Sequence, residues 1–343
     1  MTLKEIIKYR KIWMCFAILW VMLLHFEIKI TGPLSFLQLS GYSGVDIFLF
    51  ASGIGCYLSY SKDRDAAGFM KRRIRKLLPI TAVAMAVWCV YLCLKRGADF
   101  SAVIGNLFYV RGFTGQTEGF NWYIEAIWVY YILVPYFAAV ADKTKNNLAC
   151  AGVCAVLVLF STAFWNVDKM IIAASRLPVF FVGIYFAKRS KENDKPLSKK
   201  SILTLAIASA AALGAIIIFY LKFYDLLTPY GLGNYPLIVL APAICIVISY
   251  VSKFIEKFSV GKTVLKALGF VGSHTLELYI THIMVLNWGR NIIEKYNVTN
   301  TDAVWFTSFV PIVLFSVILC YTGKGVLRLA DKIKLKRESE KVS

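Results

Sequence analysis

The sequence has little of what a soluble protein needs: only 17% of its 343 residues are charged, whereas 58% are hydrophobic. No stretch is polar enough to form a soluble domain, and neither a low-complexity segment nor a convincing internal repeat is visible. The short alternating segments of a transmembrane β-barrel are also missing. Apolar residues instead come in blocks of about 20, the length at which a helix spans a hydrocarbon core. The sequence therefore predicts an all-α, polytopic integral membrane protein with a single domain over residues 1–343.

The eight cysteines lack the neighbours that a metal site requires. They all fall in apolar segments, and two pairs, Cys89/Cys93 and Cys150/Cys154, have the i, i+4 spacing of one helix face. A zinc site would add histidine or carboxylate ligands, and none is adjacent to these cysteines in sequence. We interpret them as small packing residues, which is how buried free cysteines usually behave, and predict no metal.

Ten apolar spans can be counted along the chain. They cover about 12–30, 42–61, 78–94, 121–139, 148–165, 169–187, 201–221, 235–252, 267–288 and 303–322. If the N-terminus is cytoplasmic, the inside segments hold 30 of the 39 Lys and Arg residues, as the positive-inside rule requires. An even number of spans returns the C-terminus to the cytoplasm, with 323–343 as a basic tail. We expect the less apolar stretch 97–120 to lie along the outer surface or to re-enter the membrane.

Several polar and aromatic side chains fall inside these spans or at their ends. They are His25, Asp46, Trp122, Glu125, Arg176, Glu277 and His282. Because a helix rises about 1.5 Å per residue, the predicted topology puts all of them in the middle or outer half of the bilayer. Ionisable groups at membrane depth are costly and are usually functional. We therefore predict a polar cavity that opens toward the outer face and collects these groups.

The inner face carries a second polar feature, the basic run before the third span. Arg72, Arg73, Arg75 and Lys76 closely precede Pro79. These side chains either touch lipid phosphates and fix the topology or bind the phosphates of a cytoplasmic ligand, since arginine binds phosphate in a bidentate manner. The two interpretations are compatible. Such inside segments explain most of the net charge of +19, so we expect no nucleic-acid partner.

Five segments, taken in order, match the motifs of a known family. They are Gly44-Val45-Asp46-Ile47-Phe48 with Ser52-Gly53; Arg72-Arg73-Ile74-Arg75 with Pro79; Trp122-Tyr123-Ile124 with Tyr131 and Pro135; Arg176-Leu177-Pro178 with Gly183; and the run from Ser273 to His282. On these residues the chain resembles, along nearly its whole length, the membrane-bound acyltransferase family 3 proteins. Singly each match is weak, but five in order on the right spans are specific.

The resemblance implies an O-acyltransferase of a bacterial plasma membrane. Members of that family usually transfer an acetyl group from cytoplasmic acetyl-CoA, a co-substrate, to a hydroxyl of a surface polysaccharide or a lipid-linked saccharide. They have about ten membrane helices, which contact membrane lipids. Some members carry an extracytoplasmic SGNH hydrolase-like domain, and we expect none here because the chain ends soon after its tenth span.

The resemblance also suggests roles for the polar side chains. His25 would be the general base toward the acceptor hydroxyl, and Asp46 would orient and stabilise its imidazolium as a carboxylate does in a triad. The alternative for His25 is a structural histidine bonded to a backbone carbonyl, and the alternative for Asp46 is a helix cap. Arg176 would stabilise an oxyanion, hold donor phosphate, or pair with Asp46 or Glu125. Glu277 and His282 are a second candidate acid/base pair, although their spacing on one helix does not require a shared face.

The chain departs from the family pattern at two places. Many members have an arginine eleven residues before the first histidine, where this chain has Met14. Either Arg10, one turn earlier, or Lys11 substitutes for it, or the role is missing; Arg10 would join the basic run in donor binding. Many members also have Val-Glu-Glu-Gln after the tryptophan, where this chain has residues 126–129 without a carboxylate. Glu125 is the only acid nearby in sequence, and it is the catalytic candidate from this segment.

Other functions remain open from the sequence. A transporter or flippase for a glycan or a small polar substrate also suits ten spans around a polar midplane, although paired broken helices in matching halves are not visible. A sensor or scaffold would not need histidine, aspartate, arginine and glutamate at one depth. No acyl-enzyme nucleophile stands out, so direct transfer to the acceptor is preferred to a covalent relay.

Overall fold

The apolar blocks fold into helices, which a computed structural model describes for residues 1–26, 28, 30–96, 100–108, 110–111, 122–223, 225, 229–299 and 301–339. The helices are α1 (Leu3–Lys8), α2 (Arg10–His25), α3 (Pro33–Leu39), α4 (Ser43–Tyr60), α5 (Ala66–Arg96), α6 (Phe100–Leu107), α7 (Trp122–Lys143), α8 (Asn147–Thr162), α9 (Asp168–Ala174), α10 (Leu177–Glu192), α11 (Lys199–Lys222), α12 (Leu237–Ile255), α13 (Ser259–Val271), α14 (Thr275–Tyr296) and α15 (Thr301–Ser339). Short 3₁₀ turns, Ser40–Tyr42 and Leu232–Asn234, precede α4 and α12. These residues contain no β-strand, which confirms the all-α prediction for them.

Several of these helices can cross a membrane. Seven described segments are long and apolar enough: Ser35–Tyr60, Ala66–Leu94, Trp122–Lys143, Lys169–Glu192, Lys199–Lys222, Leu232–Ile255 and Thr301–Ile333. The apolar helix α8 is shorter, with 16 residues, or about 24 Å. The protein is therefore a multi-pass membrane protein. The count of ten spans and the cytoplasmic position of both termini stay predictions.

Two of the predicted spans are shorter than expected. The first span, predicted over 12–30, ends at His25, where α2 stops. The sixth, predicted over 169–187, is divided at Arg176 into α9 and α10. Pro178 lies in the first turn of α10 and has no N–H with which to continue an upstream helix. The break leaves Arg176 at the start of α10, inside the bundle.

The ninth predicted span, 267–288, is also divided. α13 ends before Gly272, and α14 begins after a short turn, at Thr275. A Cβ added to Gly272 would lie 1.7 Å from the carbonyl oxygen of Lys11, so the turn touches the backbone of α2 and has room only for glycine. This contact fixes the start of α14 and places Glu277 in its first turn.

The centre of the bundle is α4, most of whose residues are buried. It packs on α10 where two glycines meet: a Cβ on Gly53 would lie 2.2 Å from a carbonyl oxygen of α10, and a Cβ on Gly183 would lie 2.3 Å from one of α4. Small residues let membrane helices approach this closely. Asp46 near the start of α4 also meets Arg176 just before α10. The two helices therefore run in the same direction.

α2 lies antiparallel to α4 and parallel to α14. A Cβ on Gly44 would lie 2.6 Å from the carbonyl oxygen of Ala17, so the second half of α2 faces the start of α4. The first turns of α2 contact the turn at Gly272, whereas His25 at its end contacts His282. Residues from distant parts of the sequence are thereby brought to the same level of the bundle.

The two ends of the bundle differ in charge. Arg10 begins α2 and lies against Gly55 near the end of α4, and Arg73 donates to the Gly55 carbonyl at 3.1 Å. We call this the basic end. The opposite end contains His25 and Asp46 together with the start of α10. In the predicted topology the basic end is cytoplasmic.

Two predicted segments are described only in part. Within 97–120, α6 and its immediate neighbours are described, so the prediction that this stretch lies along the outer surface or re-enters the membrane falls largely outside the described residues. The basic tail predicted over 323–343 continues α15 as a helix to Ser339.

Candidate functional site

A cavity of about 350 Å³ reaches into the bundle from the basic end. Four basic residues line it: Arg10, Lys11, Arg73 and Lys76. Its aromatic lining residues include Phe48, Tyr123 and Tyr279. The carboxylate of Glu277 and the hydroxyls of Ser52, Ser273 and Thr275 line it as well. Phe48 lies seven residues before Gly55 on α4, about 10 Å deeper, so the cavity runs from charged to aromatic surroundings. The sequence predicted a cavity opening toward the outer face. This cavity instead begins at the end that the same topology places inside.

The four basic side chains share the cavity with the carboxylate of Glu277, which interacts with the charge of Lys76. Among the residues that the structure describes, none of Arg10, Lys11, Arg73 and Lys76 forms an ion pair. The Arg73 guanidinium lies over the rings of Phe69 and Tyr131, 5.0 and 5.4 Å from their centroids, and its buried Nε has no hydrogen-bond partner. Four basic side chains against the carboxylate of Glu277 leave the cavity lining with an excess of positive charge. Such an excess favours an anionic ligand, and arginine in particular binds phosphate.

The other two arginines of the predicted donor site point elsewhere. Arg72 pairs with Asp63 at 2.8 Å and Arg75 with Asp331 at 2.9 Å, and all four side chains are about half exposed. The hydrogen bond from Arg72 holds the pKa of the Asp63 carboxyl below its usual range. Neither arginine lines the cavity. Their assignment to donor binding is therefore not supported by their position.

The departure at Met14 has a structural counterpart. Met14 lines the cavity, and so does Arg10 one turn earlier on the same face of α2. A guanidinium is thus present in the cavity although the family position lacks one. Lys11, the other residue considered as a substitute for the missing arginine, lines the cavity too.

Two histidines lie together beyond the aromatic end of the cavity. The ring centroids of His25 and His282 are 5.1 Å apart, and His282 is fully buried. In each ring Nδ1 lies at hydrogen-bond distance from a backbone carbonyl of its own helix, that of Val21 at 2.9 Å and that of Leu278 at 3.0 Å. A carbonyl only accepts, so Nδ1 carries the proton of the neutral ring and Nε2 is the basic nitrogen. Nε2 of His282 has no hydrogen-bond partner.

Asp46 and Arg176 form a buried ion pair, with Arg176 Nε 3.1 Å from Asp46 Oδ2. Arg176 also donates to the carbonyl of Ile172 at 3.0 Å and lies over the ring of Trp122, 5.4 Å from its centroid. The prediction that Asp46 orients His25 is not met, because its carboxylate binds Arg176 and the His25 Nδ1 binds Val21. Of the roles considered for Arg176, pairing with Asp46 is the one observed.

The remaining predicted acids occupy different positions. Glu277 is 7% exposed and faces the cavity, whereas His282, its predicted partner, does not line it. Glu125 is 2% exposed in the first turn of α7 and lies outside the cavity lining. Tyr279, between Glu277 and His282 in sequence, connects the two regions: it lines the cavity and its ring lies 5.4 Å from His282. The sequence analysis did not single it out.

Comparison with known proteins identifies the family. A family model described as an acyltransferase domain, acyltransferase 3, matches residues 14–323. That segment includes the histidine pair, the buried ion pair and most of the cavity lining. No curated protein and no solved structure matches the chain. The chain therefore belongs to the acyltransferase 3 family of membrane acyltransferases.

Proposed function

We propose that the protein transfers a short acyl group, acetyl in the simplest case, from cytoplasmic acyl-CoA to a hydroxyl of an extracytoplasmic or lipid-linked glycan. The observation that carries this proposal is the cavity with its excess of basic side chains, whose aromatic end contacts His282, beside His25, through Tyr279. A bacterial plasma membrane, with the basic end in the cytoplasm, is the location that fits. Acetyl-CoA would be a co-substrate, and no metal is needed for the steps below.

The donor would enter from the basic end. Its phosphates would bind Arg10, Lys11, Arg73 and Lys76, which form no ion pair in the described structure. Its thioester arm would extend along the cavity toward Tyr279. Glu277 is the carboxylate on this path and can accept hydrogen bonds from the amide N–H groups of the arm.

The chemistry is a proton transfer coupled to attack on a thioester. Nε2 of His25, or of His282 beside it, takes the proton of the acceptor hydroxyl while that oxygen attacks the thioester carbonyl. The C–S bond then breaks, the acyl group stays on the acceptor oxygen, and the thiolate of CoA takes the proton from the imidazolium, which restores the neutral ring. Arg176, held by Asp46 and Trp122, supplies positive charge at the same end of the bundle and can stabilise the oxyanion.

The test uses the full chain in lipid nanodiscs with radiolabelled acetyl-CoA and glycan acceptor extracted from the source membrane. We expect label to move to the acceptor with release of CoA, and His25→Ala to lose at least about a hundredfold of that rate. The matched control is His274→Ala, because His274 has the same Nδ1–carbonyl arrangement but lies in the turn between α13 and α14, where its ring contacts Phe270. Full activity of His25→Ala and of His282→Ala would refute the base, and CoA-independent substrate movement would favour a transporter.

A further inference from the structure

Three aromatic rings from three helices meet at the inner end of the cavity. The rings of Phe48, Tyr123 and Tyr279 have centroids 6.2, 6.1 and 4.9 Å apart for the pairs 48/123, 48/279 and 123/279. All three line the cavity, and none is more than 8% exposed. Because every pair is in contact, the three rings narrow the inner end of the cavity. We call these three rings the ring layer.

The ring layer lies between the basic side chains of the cavity and the two histidines, and Tyr279 contacts both regions. The basic side chains lie on one side of it. On the other side, the ring of His282 lies 5.4 Å from that of Tyr279 and 5.1 Å from that of His25. A thioester whose phosphates are bound at the basic end meets the ring layer with its acyl end. Its carbonyl would lie beside Tyr279, and any carbon beyond a short acyl group would have to enter between the rings.

We propose that the ring layer limits the length of the acyl group, so that the cavity accepts acetyl or a chain of similar size and excludes longer ones. This inference rests on the proposed function, since it concerns which acyl-CoA the same cavity takes. Packed interiors have no room for added methylene groups without displacing side chains. A hydrophobic pocket distinguishes substrates that differ by one methylene about 10- to 200-fold.

The experiment measures donor binding alone, so no acceptor is needed. Its probes are free CoA and three ketone analogues that cannot transfer an acyl group: 2-oxopropyl-, 2-oxopentyl- and 2-oxoheptyl-CoA, which correspond to acetyl-, butyryl- and hexanoyl-CoA. Dissociation constants are measured by titration calorimetry on the full chain in detergent micelles. We expect the 2-oxopropyl analogue to bind at least about tenfold more tightly than the 2-oxoheptyl analogue.

Phe48 is the position to change, because its side chain has no polar atom to leave unpaired. In Phe48→Ala the 2-oxoheptyl analogue should gain about tenfold relative to the 2-oxopropyl analogue. Phe48→Leu makes a smaller opening and serves if the alanine variant does not fold. The matched control is Phe50→Leu on the same helix: Phe50 packs against Trp13 and Phe186, lies outside the cavity lining, and should leave the preference unchanged.

The outcomes separate this inference from the proposed function. If free CoA binds but the wild-type protein holds all three analogues equally, or if Phe48→Leu and Phe48→Ala keep the wild-type preference, the ring layer does not set chain length and the proposed function stands. If neither free CoA nor any analogue binds the folded wild-type protein, the proposed function fails and the role of the ring layer fails with it.

Discussion

Arg72 and Arg73 are neighbours in sequence but have different surroundings. Side chains one residue apart on a helix point about 100° apart, and those three apart share a face. Arg73 and Lys76 therefore both face the cavity, whereas Arg72 and Arg75 both reach surface carboxylates. One basic run thus has a ligand-binding face and a face of exposed ion pairs, which contribute little to stability.

This division predicts a difference in donor binding. Arg73→Gln removes a charge that has no acidic partner in the described structure, so a bound phosphate loses a charge-assisted hydrogen bond, about 1.5–3 kcal/mol. The dissociation constant for CoA should rise about 10- to 150-fold. Arg72→Gln is the matched control and should change it less than about twofold. Calorimetric titration of both purified variants with CoA measures this, and equal losses would contradict the assignment of Arg73.

The pair of Asp46 and Arg176 predicts a coupled loss of stability. Asp46→Asn leaves the Arg176 guanidinium buried without its counter-charge, and breaking a buried pair in this way costs about 3–5 kcal/mol. The double variant Asp46→Asn/Arg176→Met removes the stranded charge and should recover part of that loss. Unfolding by SDS in mixed micelles gives the free energies. Strictly additive effects of the two single changes would show that the pair does not contribute as a unit.

At this scale the sequence predicts which residues matter better than it predicts their partners. Asp46 and Arg176 were both recognised as costly ionisable groups, and their pairing was one of the roles considered for Arg176. The sequence could not choose that role over the others, because 130 positions separate the two residues and helical periodicity carries no information across that distance. For Tyr279, the sequence did not indicate that the residue matters. An aromatic residue in an apolar span is usually a packing residue, and its position between a cavity and an imidazole exists only once α4, α7 and α14 are assembled.

Helix α4 depends on two glycines that permit backbone contact with α10. Gly53→Ala places a methyl group where a carbonyl oxygen lies 2.2 Å away, so the helices must separate. We expect a loss of roughly 1–3 kcal/mol by analogy with overpacking, or failure to fold. Gly183→Ala should behave alike. The control is Gly214→Ala on α11, where an added Cβ meets nothing within 4 Å.

The control has an expectation of its own. Alanine is about 0.5–1 kcal/mol better than glycine inside a helix, so Gly214→Ala should leave the protein as stable as the wild type or slightly more stable. Thermal unfolding of the three variants in one detergent compares them directly. Unchanged stability of Gly53→Ala would mean that α4 and α10 are farther apart than the glycine contact requires.

The elements themselves were largely predictable, and their interruptions were less so. Long apolar runs gave α4, α7 and α11 close to their observed bounds. The turn at Gly272 falls inside the predicted span 267–288. Only the close approach of α2 shows why the helix stops there. Pro178 was a visible signal for the break at Arg176, but a proline in a transmembrane helix is often tolerated.

The helix bundle has two different ends, because α4, α7 and α10 run parallel to one another and the basic groups lie at one end. Tyr57 at the end of α4 donates to Asp142 near the end of α7, and Lys188 near the end of α10 donates to the carbonyl of Thr144 at 2.9 Å. α4, α7 and α10 therefore run the same way, as the second, fourth and sixth of alternating spans must. A donor entering at the basic end and an acceptor entering at the opposite end would meet inside the bundle.

The remaining prediction concerns the side of the membrane that the basic end faces. Positive-inside bias places the loop between α10 and α11 in the cytoplasm and the segment between α2 and α3 outside. Thr31→Cys and Lys195→Cys mark these two loops at exposed positions. In intact cells a membrane-impermeant maleimide should label Thr31→Cys strongly, and it should label Lys195→Cys only after permeabilisation. The wild-type protein gives the background labelling, because its native cysteines lie in helices. The reverse pattern would put the basic cavity outside, away from cytoplasmic acyl-CoA, and would refute the donor assignment even if the fold is correct.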